Sequence, residues 1–316
     1  MARFVIRRLL SMALVLVAIS ILTFLIFQAI PNGDPAVRIA GRHADPQTIR
    51  DVRKSWGFDK PIYVQYEKTM GKIFDGSVIS YTQSLNVEDE IKRDFPVTLS
   101  LALGAGLLWL FMGIVFGVIS APFAGRWTDR ALTVLSLIGI STPVFVIAAL
   151  MLYFLAFKWS IFPNGDYVKL TDDPVQWANH LIMPWTALSL LFIGFYSRVL
   201  RSNILDTINE DYVRTARAKG LTERRVIVRH VVRNSLIPII SLWGLDFAAI
   251  IGGGAIITEK AFNLPGVGAF AANSIGQLDV PPVLVVTMFG AFFVVLLQTV
   301  VDVLYALLDP RIRLTA

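Results

Sequence analysis

The chain has 316 residues, of which 55% are hydrophobic and 16% charged, and its mean hydropathy is +0.63. Soluble domains average about 25% charged residues, so long uncharged runs in a chain this poor in charge point to a membrane protein. It contains no cysteine, which excludes disulfides and thiolate ligands, and its net charge of +6 could suggest nucleic acid until the distribution of that charge is read.

The chain opens MARFVIRRLL, and Leu9–Ile30 then runs 22 residues without a charge. A signal-peptide core is about 7–15 residues, and no small-x-small cleavage pattern closes this run. Residues 1–30 are therefore expected to form an uncleaved first membrane helix with a cytoplasmic N-terminus. The one long polar stretch follows, 31–96. PNGDP (Pro31–Pro35) breaks the first helix. Asp45-Pro46 reads as N-cap and first helical residue, with Ile49, Val52 and Trp56 at helical spacing and Gly57 as the stop. A second short helix is expected from Pro61. A third is expected near Asn86, with Glu88, Asp89 and Glu90 early and Lys92 and Arg93 late, as the helix dipole favours. This stretch carries ten basic and ten acidic residues, so it is a nearly neutral helical insert, either a cover for a pore or a substrate contact.

Five more apolar runs follow, Val97–Phe123, Ala131–Phe157, Leu181–Ser197, Ser235–Thr258 and Val280–Val301. The fold class is thus all-α, with six membrane helices and the insert after the first. Residues 97–316 form a core of five spans. The loops give the orientation. With the N-terminus inside, residues 1–8, 124–130, 198–234 and 309–316 are cytoplasmic and hold 16 Lys or Arg, against three in the short outer loops 158–180 and 259–279. The basic pI of 9.6 then follows from topology, and no nucleic-acid module is needed. Both termini are placed in the cytoplasm.

Three places inside the spans have two readings. Pro143, in IGISTPVFV, removes a backbone hydrogen bond and should kink the third span, as a bend tolerated by packing or as part of a gate. Gly252-Gly253-Gly254 permits close helix packing or local unwinding, so Gly253 is a candidate gate point. Asp246 is an acid in an apolar run, so it marks a pathway or bonds to a neighbouring helix. Asp302, near the cytoplasmic end of the last run, is expected to pair with a basic residue there.

The stretch Asn209–Asn234, NEDYVRTARAKGLTERRVIVRHVVRN, is an exposed basic island with seven Lys or Arg against three acids. Its signals give two short helices. Asn209 can cap the first, Lys219 falls in its last turn and Gly220 supplies a left-handed stop. Thr222 can cap the second, and Arg225, Arg229 and Arg233 form a stripe along it. Thr215, Ala216 and Ala218 make a small face that lets another protein approach the backbone. By charge and periodicity alone, such a pair could equally be an anchor on anionic lipid.

DYVRTARAKGL, followed by ERR, RH and RN, resembles the cytoplasmic loop of ABC importer permeases, and more narrowly of the dipeptide/oligopeptide/nickel branch. Arg214-Thr215-Ala216 stands in the place of the loop's Glu-Ala-Ala, and Gly220 in that of its Gly. His230-Val231-Val232-Arg233 stands where the general loop has Ile-x-Leu-Pro, a departure usual in the peptide branch. Gly57–Tyr66, Ser141–Phe145 and Val301–Arg311 are also similar to that branch. The resemblance implies one permease subunit that forms half of a pathway for di- or oligopeptides. Its implied partners are a second related permease, two cytoplasmic ATPase subunits that carry ATP and Mg, an extracytoplasmic substrate-binding protein, and membrane lipid. Tyr212, Arg214, Thr215, Ala216, Arg217, Ala218 and Gly220 would couple the chain to the ATPase. No catalytic residue, metal site or cofactor is expected in the chain itself, which has no HExxH, GxSxG or P-loop. The rival is an ATP-independent ion-coupled carrier or channel with Asp246 as its ion or proton site.

Overall fold

The computed structural model describes residues 2–29, 34, 36–37, 45–80, 82–277 and 279–308. Every long element among them is a helix, and the one strand-like pairing is a bridge between Ile79 and Asn86. Pro31, Asn32, Gly33 and Pro35 of PNGDP, the side chain of Asp302 and the tail 309–316 lie outside the described residues.

α1 (Ala2–Ala29) is the first apolar run. α2 (Pro46–Trp56) begins as its sequence dictates. Asp45 accepts from the Thr48 N–H at 3.3 Å, Pro46 opens the helix, and Gly57 ends it at φ +71°. α3 (Ile62–Phe74) follows Pro61. The expected third short helix is instead the start of α4 (Val87–Ser120), which carries through Pro96 into the second apolar run. Asn86 Oδ1 caps it, accepting from the N–H groups of Glu88 at 2.9 Å and Asp89 at 3.2 Å. α7 (Pro174–Thr207), capped by Asp173, and, after the short helices α10 (Ile256–Ala261) and α11 (Val267–Gly276), α12 (Val280–Leu308) also outrun their apolar stretches.

Among the described residues, five helices are long and apolar enough to cross a membrane, within Ile6–Ile26, Val87–Phe123, Pro174–Thr207, Glu223–Gly254 and Val280–Val301. The expected third span differs. Pro143 does more than kink it. α5 (Trp127–Ser141) and α6 (Val144–Lys158) meet at 99°, with Thr142 in extended conformation between them. The 15 residues of α5 reach about 22 Å, short of a hydrocarbon core of about 30 Å, so a sixth span exists only if the bent pair is counted as one.

The chain divides into two compact units. In the first (residues 1–98, 248–256 and 265–316), α1 packs on α12. Gly252 and Gly290 bring two backbones together, since a Cβ on Gly290 would sit 2.5 Å from the Gly252 carbonyl oxygen. Val87, Ile91, Val267 and Phe270 pack into one core, bordered by Phe95 and Phe289 at 5.3 Å between ring centres. In the second unit (99–247 and 257–264), α5 lies along α7. Their contact is close because a Cβ on Gly194 would stand 2.5 Å from the Ser136 carbonyl oxygen. Trp109 stacks on Phe192 at 4.5 Å, and Trp243 Nε1 donates to the Gly106 carbonyl at 2.8 Å.

Candidate coupling loop and intramembrane acid

After Thr207 the chain turns into α8 (Asp211–Ala218), the short helix that the loop sequence predicts. Its start is one residue later than Asn209 suggests. Glu210 holds the N-cap position without a side-chain cap bond, and Asn209 donates back to the Leu205 carbonyl at 3.1 Å. Its end is as expected, except that Lys219 is the cap residue itself. Gly220 adopts φ +77°. The Gly220 N–H reaches the Arg217 carbonyl at 2.9 Å and the Leu221 N–H the Ala216 carbonyl at 3.4 Å, the paired bonds of a Schellman stop. Arg217 then closes the turn on Glu223 through two bonds of 2.7 and 3.1 Å. That bond holds the Arg217 guanidinium above its ordinary pKa, so it stays charged.

The second expected loop helix is not a separate element. Thr222 precedes it in extended conformation but makes no side-chain cap bond. The helix that starts at Glu223 continues, with a π-turn segment over Val226–Val232, into the fifth span as α9 (Glu223–Gly254). Val213 and Ala216 of α8 are buried where α8 packs on that segment, whose Val226 and Val231 are also buried. Ser235 fastens the base of the loop, bonding to the Asn203 carbonyl at 3.2 Å and to Thr207 Oγ1 at 3.1 Å.

This geometry corrects the small face. Ala216 is 6% exposed and turned inward, so its size serves packing within the chain. The outward face is Asp211, Arg214, Thr215 and Ala218, at i, i+3, i+4 and i+7. Tyr212, Arg217 and Gly220 are also exposed, and Tyr212 accepts a 3.0 Å bond from Asn234. Six of the seven loop residues singled out from sequence are therefore on the surface.

Asp246 Oδ2 accepts from the hydroxyl of Tyr196 at 2.6 Å, which is the inter-helix bond expected of an acid that packs. Tyr196 is 0% exposed and lies 6.5 Å from Trp109. Pro143 sits at the break between α5 and α6. The three glycines divide their roles. Gly252 makes the close approach to Gly290, while Gly253 takes φ +132° and interrupts α9. Among the described residues no group of three His, Cys, Asp or Glu could hold a metal.

Sequence reasoning missed the ion pair that fixes the short loop before α5. Asp129, nearly buried, takes two 2.7 Å bonds from Arg201 Nε and Nη2, plus bonds from Ser120 and the Gly125 N–H. Arg201 enters the loop count only as one basic residue, and Asp129 does not enter it. Their separation of 72 residues left no local signal.

Helices long and apolar enough to cross a membrane, joined by a basic loop that carries a short exposed helix, define a multi-span membrane protein. The solved inward-facing structure of the MetNI methionine ABC transporter has the same fold, with a TM-score of 0.53 over 69% of this chain and 96% of that one, at 16% identity. The family described as "Binding-protein-dependent transport system inner membrane component" matches residues 113–314, and its N-terminal counterpart matches residues 1–102. A Brucella abortus (strain 2308) protein that bears the name of a peptide transport system permease is 36% identical over 314 residues, 99% of each chain. An Escherichia coli K12 protein named for D,D-dipeptide transport is 34% identical over 96% of this chain and 95% of its own. The glutathione transport system permease protein of Escherichia coli O6:H1 is 34% identical over 99% of each. The chain belongs to the binding-protein-dependent transport family, as an inner-membrane permease subunit of an ABC importer. Its transport system includes a substrate-binding protein and a separate ATPase, and the ion-coupled carrier is left without support.

Proposed function

We propose that this chain forms one half of a pathway that imports peptides, di- or oligopeptides first among them. It pairs with a second related permease, two cytoplasmic ATPase subunits that bind ATP and Mg, and an extracytoplasmic binding protein. Relatives that span nearly its whole length carry the names of peptide, dipeptide and glutathione permeases, and glutathione is itself a tripeptide. Residues 1–30 are the first span, 31–96 an extracytoplasmic insert, and 97–316 the permease core, with loop 198–234 and both termini in the cytoplasm. The bent pair α5–α6 then counts as the third of six spans.

The observation that carries this reading is α8, a short helix whose inner face is buried on its own chain and whose outer face has no cover. Tyr212, Arg214, Thr215, Arg217 and Ala218 are the contact residues. Gly220 sets the direction in which α9 leaves, and Ala216 seats the helix from within. Because α9 continues from Glu223 as far as the break at Gly253, a push on α8 has a helical path into the fifth span. ATP-driven closure of the ATPases would pull this loop and open the pathway outward, and hydrolysis would reset it. Pro143 and Gly253 are the points at which helices can bend as it does so. The chain performs no chemistry and binds no nucleic acid.

The test is uptake of labelled di- and tripeptides into proteoliposomes that hold the full assembly and its binding protein. Uptake should require ATP, and Thr215→Trp should lower it at least tenfold at equal abundance, about 1.4 kcal/mol of coupling. Uptake driven by a proton gradient without ATP would overturn the proposal.

A further inference from the structure

Between α5 and α7 lies a cavity of about 620 Å³, within the range of ligand pockets. The register of the two helices gives it a direction. Asp129 meets Arg201 at the loop end, Ser136 meets Ser197 at 3.0 Å further in, and Gly139 approaches the Leu190 carbonyl deeper still. The lining follows the same order. Arg198, Arg201, Ser202 and Thr133 lie toward the loop end. Ile140 and Phe195 lie further in, Phe195 three residues or about 4.5 Å along α7 from Arg198, and Val199 lies among the loop-end residues. From Thr133 to Ile140 is about 10 Å along a helix, so the cavity is charged at its loop end and apolar deeper between the helices.

The charge is available. Arg201 spends Nε and Nη2 on Asp129, which leaves Nη1. Arg198 is exposed and has no ion-pair partner among the described residues. Beneath the charged end, a crevice of about 10 Å³ runs between Ser120, Ser136 and Ser197, room for about one water. A free anion would use the guanidinium groups and gain nothing from Ile140 or Phe195. An amphiphile with an anionic head uses both ends, and basic pockets between membrane helices hold such headgroups.

We propose that this cavity binds the phosphate headgroup of an anionic phospholipid from the leaflet that faces the basic loops. Arg198 and Arg201 Nη1 meet the phosphate, the Ser202 hydroxyl donates to it, and the first acyl carbons lie against Phe195 and Ile140. The bound lipid sits beside the Asp129–Arg201 pair that holds the loop before α5.

The full-length chain is purified in its native assembly, stripped of lipid in detergent, and titrated by native mass spectrometry with phosphatidylglycerol, phosphatidylcholine and inorganic phosphate. Phosphatidylglycerol should bind more tightly than phosphatidylcholine. Arg198→Gln should weaken phosphatidylglycerol by about fivefold, the factor for one basic side chain facing anionic lipid, with phosphatidylcholine unchanged. Arg198→Lys should retain most of the binding. Because Arg198 is exposed and unpaired, neither change threatens folding. Equal phosphatidylglycerol affinity in Arg198→Gln would overturn the site. Displacement of the lipid by inorganic phosphate at comparable concentration would make it a free-anion site and overturn the lipid. Micelles have no sidedness, so this result stands apart from the orientation, which outside labelling of a cysteine at Thr222 reads by itself.

Discussion

The hydroxyl of Tyr196 is buried, and its acceptor is Asp246. An amide oxygen can take the place of that carboxylate oxygen. Asp246→Asn should therefore keep peptide uptake within about twofold of native, since the neutral amide oxygen still satisfies the buried hydroxyl, with a bond weaker by about 1 kcal/mol. Asp246→Leu should lower abundance, because an unsatisfied buried hydroxyl costs about 1–3 kcal/mol. Uptake and membrane abundance, measured together, check both. Complete loss of uptake in Asp246→Asn at normal abundance would make the acid a proton or ion site. The acid itself stood out in the sequence by its charge in an apolar run. Its partner did not, for Tyr196 is 50 positions away and a Tyr in an apolar run carries no charge to mark it. Asp129 and Arg201 were hidden in the same way, since charge counts assign residues to loops and cannot pair them.

Among the elements, α8 depends most on one residue. Gly220 has φ +77° with open space where a Cβ would go, so any effect of substitution comes from backbone conformation alone. A non-glycine residue in the left-handed region costs about 1–2 kcal/mol, most for a β-branched side chain and less for Asn. Gly220→Val should redirect the start of α9 and lower uptake severalfold with abundance unchanged, while Gly220→Asn should stay near native. Normal uptake in Gly220→Val would remove the turn from the coupling path. The stop at Gly220 was legible because its signal is local. The extent of helices was not. Apolar runs mark where a helix enters hydrocarbon, whereas α4, α7 and α9 continue through polar turns with satisfied backbone bonds. Ala216 shows the same limit. A small residue on an amphipathic helix fits an interface with a partner or with its own chain, and only the packing of α8 on Val226–Val232 decides. The 99° break at Pro143 exceeds what a missing hydrogen bond requires, because Thr142 also leaves the helical region.

For the whole molecule, the number of apolar runs and the permease family were readable, since a membrane imposes composition and the loop carries a distinctive pattern. Division into two units was not readable, because each unit is assembled from distant segments, with 248–256 and 265–316 joined to 1–98. Nor did anything in the sequence reveal the cavity between α5 and α7, whose lining comes from two separate helices. The central claim is that the outer face of α8 meets the ATPase. The native chain has no cysteine, so single cysteines report cleanly. They are placed at Thr215 and Ala218 on the exposed face, at buried Ala216, and at exposed Ser77 of the insert. A thiol-attached photo-crosslinker is activated in membranes that contain the whole assembly, and adducts with the ATPase subunit are read by immunoblot. Strong adducts from Thr215 and Ala218, a weak one from Ala216 and none from Ser77 are predicted. Adducts from Ser77 with none from Thr215 or Ala218 would contradict both the orientation and the coupling role of α8.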